Sequence, residues 1–194
     1  MRLTFIFLFM TAFYIQAQDS TKHVASLEIK PAIGGTGSSI KPTVSTMILY
    51  PLNHRFSVVS HSMFSFLLFR NSPQQYIKTH YNYSFSQKMG LGYSLYGKKG
   101  KSRHTLLALG GIKHVAFKET MDNPELEKVT VSTRNTVPDY GLMYEFSLGK
   151  KRCTFDTRLY LPLSPIRYYP LGTLTNLAYL EMGIGIKLYK IKKE

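Results

Sequence analysis

The residues whose types could do chemistry together are His80, Asn82 and Ser84. A histidine, an amide and a hydroxyl can serve as base, orienting group and nucleophile when they lie within hydrogen-bond reach. They alternate with Tyr81, Tyr83 and Phe85, the pattern of an extended strand with all three polar groups on one face. Four strand residues separate His80 from Ser84 by about 13 Å, too far for direct proton transfer. The spacing therefore predicts a polar strand face and no catalytic residue. The other histidines, His23, His54, His61, His104 and His114, show neither an HExxH motif nor a paired-ligand spacing, and no metal site is expected. Gly34-Gly35-Thr36-Gly37-Ser38-Ser39 is glycine-rich but lacks the lysine and helix of a phosphate loop, so it reads as a turn and no cofactor is expected.

Charge is more informative. The chain of 194 residues carries 25 Lys and Arg against 11 Asp and Glu, a formal net charge of +14. Such an excess invites acidic partners. Nucleic acid is not expected, because the chain begins like an exported protein and has no zinc-ligand, helix-turn-helix or stacking-sheet motif. Outer-membrane lipid and lipopolysaccharide are the expected partners. Arg2, the apolar run Leu3–Ile15 and the small residue Ala17 read as a secretory signal peptide over residues 1–17, with a β-barrel domain over 18–194. The apolar run is shorter than the about 20 residues of a membrane-crossing helix, and the next longest, Met63–Phe69, is shorter still. One cysteine, Cys153, allows no disulfide within the chain.

The elements that must position these side chains are strands. Leu142, Tyr144, Phe146 and Leu148 alternate with Gly141, Met143, Glu145 and Ser147. Leu180, Met182, Ile184, Ile186 and Leu188 alternate with Glu181, Gly183, Gly185 and Lys187. The same period of two recurs along the chain, and no segment carries a helical stripe. Candidate strands are 25–34, 42–50, 55–67, 75–86, 89–97, 103–117, 127–134, 138–149, 152–162 and 177–189. Turns are expected at Pro51–His54, Gln87-Lys88 and Lys150-Lys151. The expected fold is an all-β, antiparallel up-and-down barrel of about ten strands, with eight as the alternative. The apolar face would point to lipid and the polar face into the lumen. Tyr50, Tyr76, Tyr96, Tyr140 and Tyr168-Tyr169 near strand ends would form an interfacial girdle. The reverse orientation, apolar inward, would make a soluble barrel.

Glu28, Lys30, Lys78, Glu145, Asp156, Arg158, Glu181 and Lys187 all fall on polar strand faces, and buried charges require partners, so a structural salt-bridge network is expected in the lumen. A two-residue turn at Lys150-Lys151 would set Phe146 opposite Phe155 and Glu145 opposite Asp156, with Arg158 between the two acids. Gly183→Ser on the lumen face should be milder than Ile184→Arg on the outer face. Parity places the basic turn Lys98–Arg103 outside the cell, and Lys150–Arg152 with the tail from Lys190 in the periplasm.

With its leader, alternation and turn pattern, the chain resembles the small outer-membrane barrels of the kind that includes OmpX-like and OmpW-like proteins. The resemblance implies a non-enzymatic envelope barrel with a structural or surface-interaction role. A narrow channel for small molecules, or a soluble periplasmic barrel that binds a ligand inside, are the alternatives. A histidine and a serine on one barrel face are also similar to lipid A deacylases, but in that family the two are closer in sequence, and the activating acid has no counterpart here.

Overall fold

A computed structural model describes residues 26–36, 41–67, 71–72, 76–97, 101–122, 128–149, 152–168, 174–175 and 177–188. The expected signal peptide, residues 1–17, lies outside them. Eight strands form the wall: β1 (Glu28–Thr36), β2 (Lys41–Pro51), β3 (Phe56–Phe66), β4 (Ile77–Tyr96), β5 (Ser102–Met121), β6 (Val129–Leu148), β7 (Cys153–Pro162) and β8 (Tyr179–Lys187). Each pairs antiparallel with the next, and β8 closes onto β1. Closure removes the free edges that an open sheet of this size would expose.

The count is eight, not ten, because two expected breaks are continuous strand. Gln87 and Lys88 lie inside β4, paired with Ile112 and Gly111. Asn135, Thr136 and Val137 likewise lie inside β6. Lys88 has the parity of Asn82, Ser84, Ser86 and Ser94, all buried in the lumen. A lysine in the middle of a strand looks like a turn residue until its buried acid partner is known. Five strands have 9–11 residues, the length that crosses a bilayer, whereas β4, β5 and β6 each have 20. These three extend past the ends of the others as a protruding sheet.

The apolar face points outward. Leu142, Tyr144 and Leu148 are exposed, as are Leu180, Met182, Ile184, Ile186 and Leu188, and Ile33 and Met89 reach 70% and 63%. Tyr50 and Tyr93 stand on this face near one rim and Tyr140 near the other. Tyr96, expected in the girdle, instead has the even parity of the lumen side chains of β4 and pairs with Arg103 at the strand end, and Tyr76 lies at the tip of the protruding sheet. The side chains of the Tyr168-Tyr169 pair lie outside the described set.

The connections differ between the two ends. Residues 52–55, 97–101 and 149–152 are connections of four or five residues at the end that holds Glu28 and Lys187, whereas at the opposite end 67–76, 122–128 and 163–178 are longer and 37–40 has four. Asn53 builds the first turn, its Oδ1 accepting the backbone N–H groups of Arg55 at 2.8 Å and Phe56 at 2.7 Å. The Lys98–Arg103 turn, expected outside, is therefore at the same end as the other basic turns. Its Lys101 carbonyl accepts the N–H of Gly149 at 2.7 Å. Merging two pairs of candidate strands reverses the direction of everything between them, which accounts for the change.

Gly149 has φ +145°, where a Cβ would meet the Cys153 carbonyl oxygen at 2.7 Å. Gly149→Ala should therefore lower stability by about 1–3 kcal/mol. Gly110→Ala should stay within about 0.5 kcal/mol, because a Cβ there has only the Tyr140 Cβ nearby, at 4.0 Å. Urea midpoints of the refolded variants check both.

Candidate functional site

The lumen is built by parity. Even-numbered residues of β1, β4 and β7 and odd-numbered residues of β2, β3, β5, β6 and β8 point inward along the barrel wall. This places Glu28 and Lys30 (β1), Arg103 (β5), Glu145 (β6), Asp156 and Arg158 (β7) and Glu181 (β8) in one contiguous cluster.

Lys30 Nζ lies 2.7 Å from Glu145 Oε1 and 3.3 Å from both Glu28 Oε2 and Asp156 Oδ1. Arg158 donates from Nε to Glu145 Oε2 at 3.1 Å and from Nη2 to the Lys30 carbonyl at 3.0 Å. Its Nη1 is 3.6 Å from Glu181 Oε2, and its Nη2 is 4.0 Å from Asp156 Oδ2. Arg103 grips Glu28 with two hydrogen bonds, 2.9 and 2.6 Å, and reaches Glu145 at 3.4 Å. His61 Nε2 is 3.4 Å from Glu181. Lys30, Glu145, Asp156, Arg158 and Glu181 are wholly buried. Charges so placed persist only when each has opposite charge and hydrogen bonds around it. Glycine makes the room: a Cβ on Gly185 would meet Asp156 Oδ2 at 2.6 Å.

Two of the expected members lie apart. Lys187 is half-buried at the rim, where its Cα partner is Glu28. Lys78 is exposed on the protruding sheet, because β4 carries a register shift between Thr79 and Tyr81 that reverses the parity around His80. The same bulge leaves His80 exposed against Thr120 Oγ1 at 3.0 Å, while Ser84 is buried against Ser65 Oγ at 2.7 Å. The bulge thus separates the histidine from the serine. Gly183 also departs from expectation. A Cβ there would fall on the Pro31 carbonyl oxygen and 2.8 Å from the Ala32 Cα, so serine has no room without moving backbone.

The hairpin β6–β7 is displaced by two residues from a two-residue turn. Glu145 is opposite Arg158 and Ser147 opposite Asp156, while Phe146 faces Thr157. A shift of two keeps every face assignment. It also replaces a like-charge pair with an ion pair, the physical reason for this register.

Sequence reasoning missed a second buried group. Lys88 Nζ contacts Asp139 Oδ2 at 2.9 Å and stands 4.3 Å above the Tyr160 ring, whose hydroxyl donates to Asp139 Oδ1 at 2.7 Å. Tyr160 stacks on Tyr179 with ring centroids 4.7 Å apart. Nearer the protruding sheet, Asn82 accepts from Lys41 Nζ at 3.1 Å and donates to Glu119 at 3.3 Å. Parity along uninterrupted strands was the signal that could have found Lys88, Asp139 and Arg103. Met47, Leu49, Val59, Met63, Leu107, Leu109 and Met143 pack with the two tyrosines and fill the lumen beside the charges.

The contiguous cluster holds four carboxylates against Lys30, Arg103 and Arg158, with His61 at its margin. Removing Arg158 leaves four acids on two obligatory cations, whereas removing the Glu145 charge leaves three on three. Arg158→Met should therefore cost about 3–5 kcal/mol, and Glu145→Gln distinctly less, as read from unfolding midpoints in urea. Equal losses would place the stabilising asymmetry elsewhere.

No protein-family model matches the chain, and no curated protein resembles it in sequence. Solved structures do resemble it in fold. Neisserial surface protein A (NspA) superposes with a TM-score of 0.52 at 12% identity, covering 84% of this chain and 96% of that one. A major outer membrane protein from Thermus thermophilus gives 0.51 at 9% identity, over 86% and 100% of the two chains. Ail, the attachment invasion locus protein of Yersinia pestis, gives 0.50 at 11% identity, over 87% and 100%. At these identities the likeness is one of architecture: the chain has the closed eight-stranded antiparallel fold of the small outer-membrane β-barrels.

Proposed function

We propose that the chain is a non-enzymatic barrel of the outer membrane, with a structural or surface-interaction role. One observation carries this reading: the barrel is inverted relative to a soluble one, with its large apolar side chains on the outer wall and its paired charges inside. An outer wall of Leu, Ile, Phe and Tyr in water would be a very large exposed apolar surface, whereas in a bilayer it is solvated by lipid. The strand lengths of β1, β2, β3, β7 and β8 suit one bilayer crossing. The leader read in residues 1–17 supports export.

In small barrels of this kind short turns face the periplasm and longer loops face outside. That orientation puts the protruding sheet of β4, β5 and β6 on the outside. Pairing of β6 with β7 ends at Gly141 and Pro162, so among the described residues Val129–Asp139 has a strand neighbour on one side only. A polar sheet with an open edge, held clear of the membrane, suits contact with other molecules at the surface. In the lumen, Arg158, Tyr160, Lys30, Lys88, Met47, Leu107 and Met143 are each less than 2% exposed and fill the interior. A filled lumen favours the structural or surface role over the channel.

Three measurements test this reading. The refolded protein should migrate differently in unheated and boiled detergent gels, and planar bilayers containing it should show no steady conductance. In lipid, Ile184→Arg should cost about 2–4 kcal/mol, and Val129→Arg, at the tip of the protruding sheet, no more than about 0.5 kcal/mol. Unchanged migration on boiling, or equal effects of the two arginines, would remove the membrane assignment. A stable conductance would favour the channel.

A further inference from the structure

The two ends of the barrel differ sharply in charge. The three short turns, residues 52–55, 97–101 and 149–152, contain seven Lys and Arg and no Asp or Glu. The four connections at the other end, residues 37–40, 67–76, 122–128 and 163–178, contain three of each. Half of the net charge of +14 thus falls in three turns of one rim, the rim that also carries Lys187.

Among the described residues, this rim is continuous. Arg55, Lys101 and Arg152 are exposed and Lys187 is half-buried. Backbone hydrogen bonds tie their segments into one ring: Ser94 N–H to Arg55 O at 2.7 Å, Gly149 N–H to Lys101 O at 2.7 Å, and Lys187 N–H to Arg152 O at 2.9 Å. The acids near this end, Glu28, Glu145 and Asp156, face the lumen and are engaged there by Lys30, Arg103 and Arg158, so they do not neutralise the rim. Immediately next to the bases, on the outer wall, stand exposed Leu52, Leu95, Leu148, Phe155 and Leu188.

Resting on the membrane reading above, we propose that this rim is a binding surface for anionic phospholipids of the leaflet on the short-turn side, selecting headgroups whose phosphodiester charge is not balanced by a cation. Lysine supplies point charge to a phosphate and arginine a two-pronged donor. Basic residues beside an apolar wall lie where lipid phosphates lie, and each contributes roughly fivefold to the binding of an anionic surface. The position of the described bases favours lipid over a soluble acidic polymer. Arg55, Lys101 and Arg152 each immediately precede a strand, at Phe56, Ser102 and Cys153, so their charges sit at the edge of the apolar wall, at headgroup depth.

The test uses the full-length protein refolded into phosphatidylcholine bilayers containing trace spin-labelled phosphatidylglycerol or spin-labelled phosphatidylcholine. The fraction of each probe immobilised by the protein gives its preference. The wild type should prefer phosphatidylglycerol by roughly threefold or more at low salt, and the preference should fall towards one at high salt. The variant Arg55→Gln/Lys101→Gln/Arg152→Gln should lose most of it. The variant Lys78→Gln/Lys128→Gln/Arg134→Gln, which removes the same charge from exposed positions at the other end, should keep it. Equal immobilisation of the two probes by the wild type, or equal loss in the two variants, would overturn the proposal and leave the rim to an acidic partner other than lipid. Failure to give a heat-modifiable band in either bilayer would instead overturn the membrane reading.

Discussion

The ion cluster around Arg158, Lys30 and Glu145 is the constraint on which the structure depends. A barrel whose outer wall is apolar must put its polar residues inside, and eight strands leave a lumen filled by side chains. Charges in such a space are tolerable only when they neutralise one another at hydrogen-bond distance. Arg158 answers three acids and a backbone carbonyl, and Glu145 answers three cations. With Glu28, which Arg103 and Lys30 hold, the seven side chains of the cluster come from β1, β5, β6, β7 and β8, so the cluster couples strands that are not neighbours in the sheet. Hydrogen-bond ladders join each strand to the next, and the charges brace the ring across its diameter.

The same cluster explains local choices that would otherwise look arbitrary. The β6–β7 hairpin adopts a register that sets Glu145 against Arg158, at the cost of a turn with glycine at positive φ. Gly183 and Gly185 stand where larger side chains would meet β1 or the Asp156 carboxylate. Beyond the cluster the lumen changes character, with methionine, leucine and the Tyr160–Tyr179 stack taking the place of charges. Lys88 is held there by one acid and two aromatic faces, a combination that shields a lone cation from its apolar surroundings.

Outside the wall the molecule is asymmetric in both shape and charge. Strands β4, β5 and β6 run on past the barrel at one end, and short basic turns close the other. The bulge at Thr79–Tyr81 marks the passage from wall to protruding sheet, where strand faces no longer divide into outer wall and lumen. Lys78 is exposed for that reason, and His80 is removed from the face that holds Ser84.

Alternation of apolar and polar residues was sufficient, in the sequence alone, to indicate an antiparallel barrel and to assign most side chains to a face. Glu28, Lys30, Glu145, Asp156, Arg158 and Glu181 were legible as lumen charges because face depends only on parity, and parity survives any shift of register by two. The tertiary structure decided what parity leaves open. It set the β6–β7 register, because only the assembled lumen distinguishes a carboxylate pair from an ion pair. It set the strand number, because Lys88 looks like a turn residue locally and becomes a core residue only when Asp139 arrives from β6. With the strand number it decided which rim each turn joins. Periodicity is a property of neighbours along the chain, whereas closure and charge balance belong to residues that meet only when the barrel is complete.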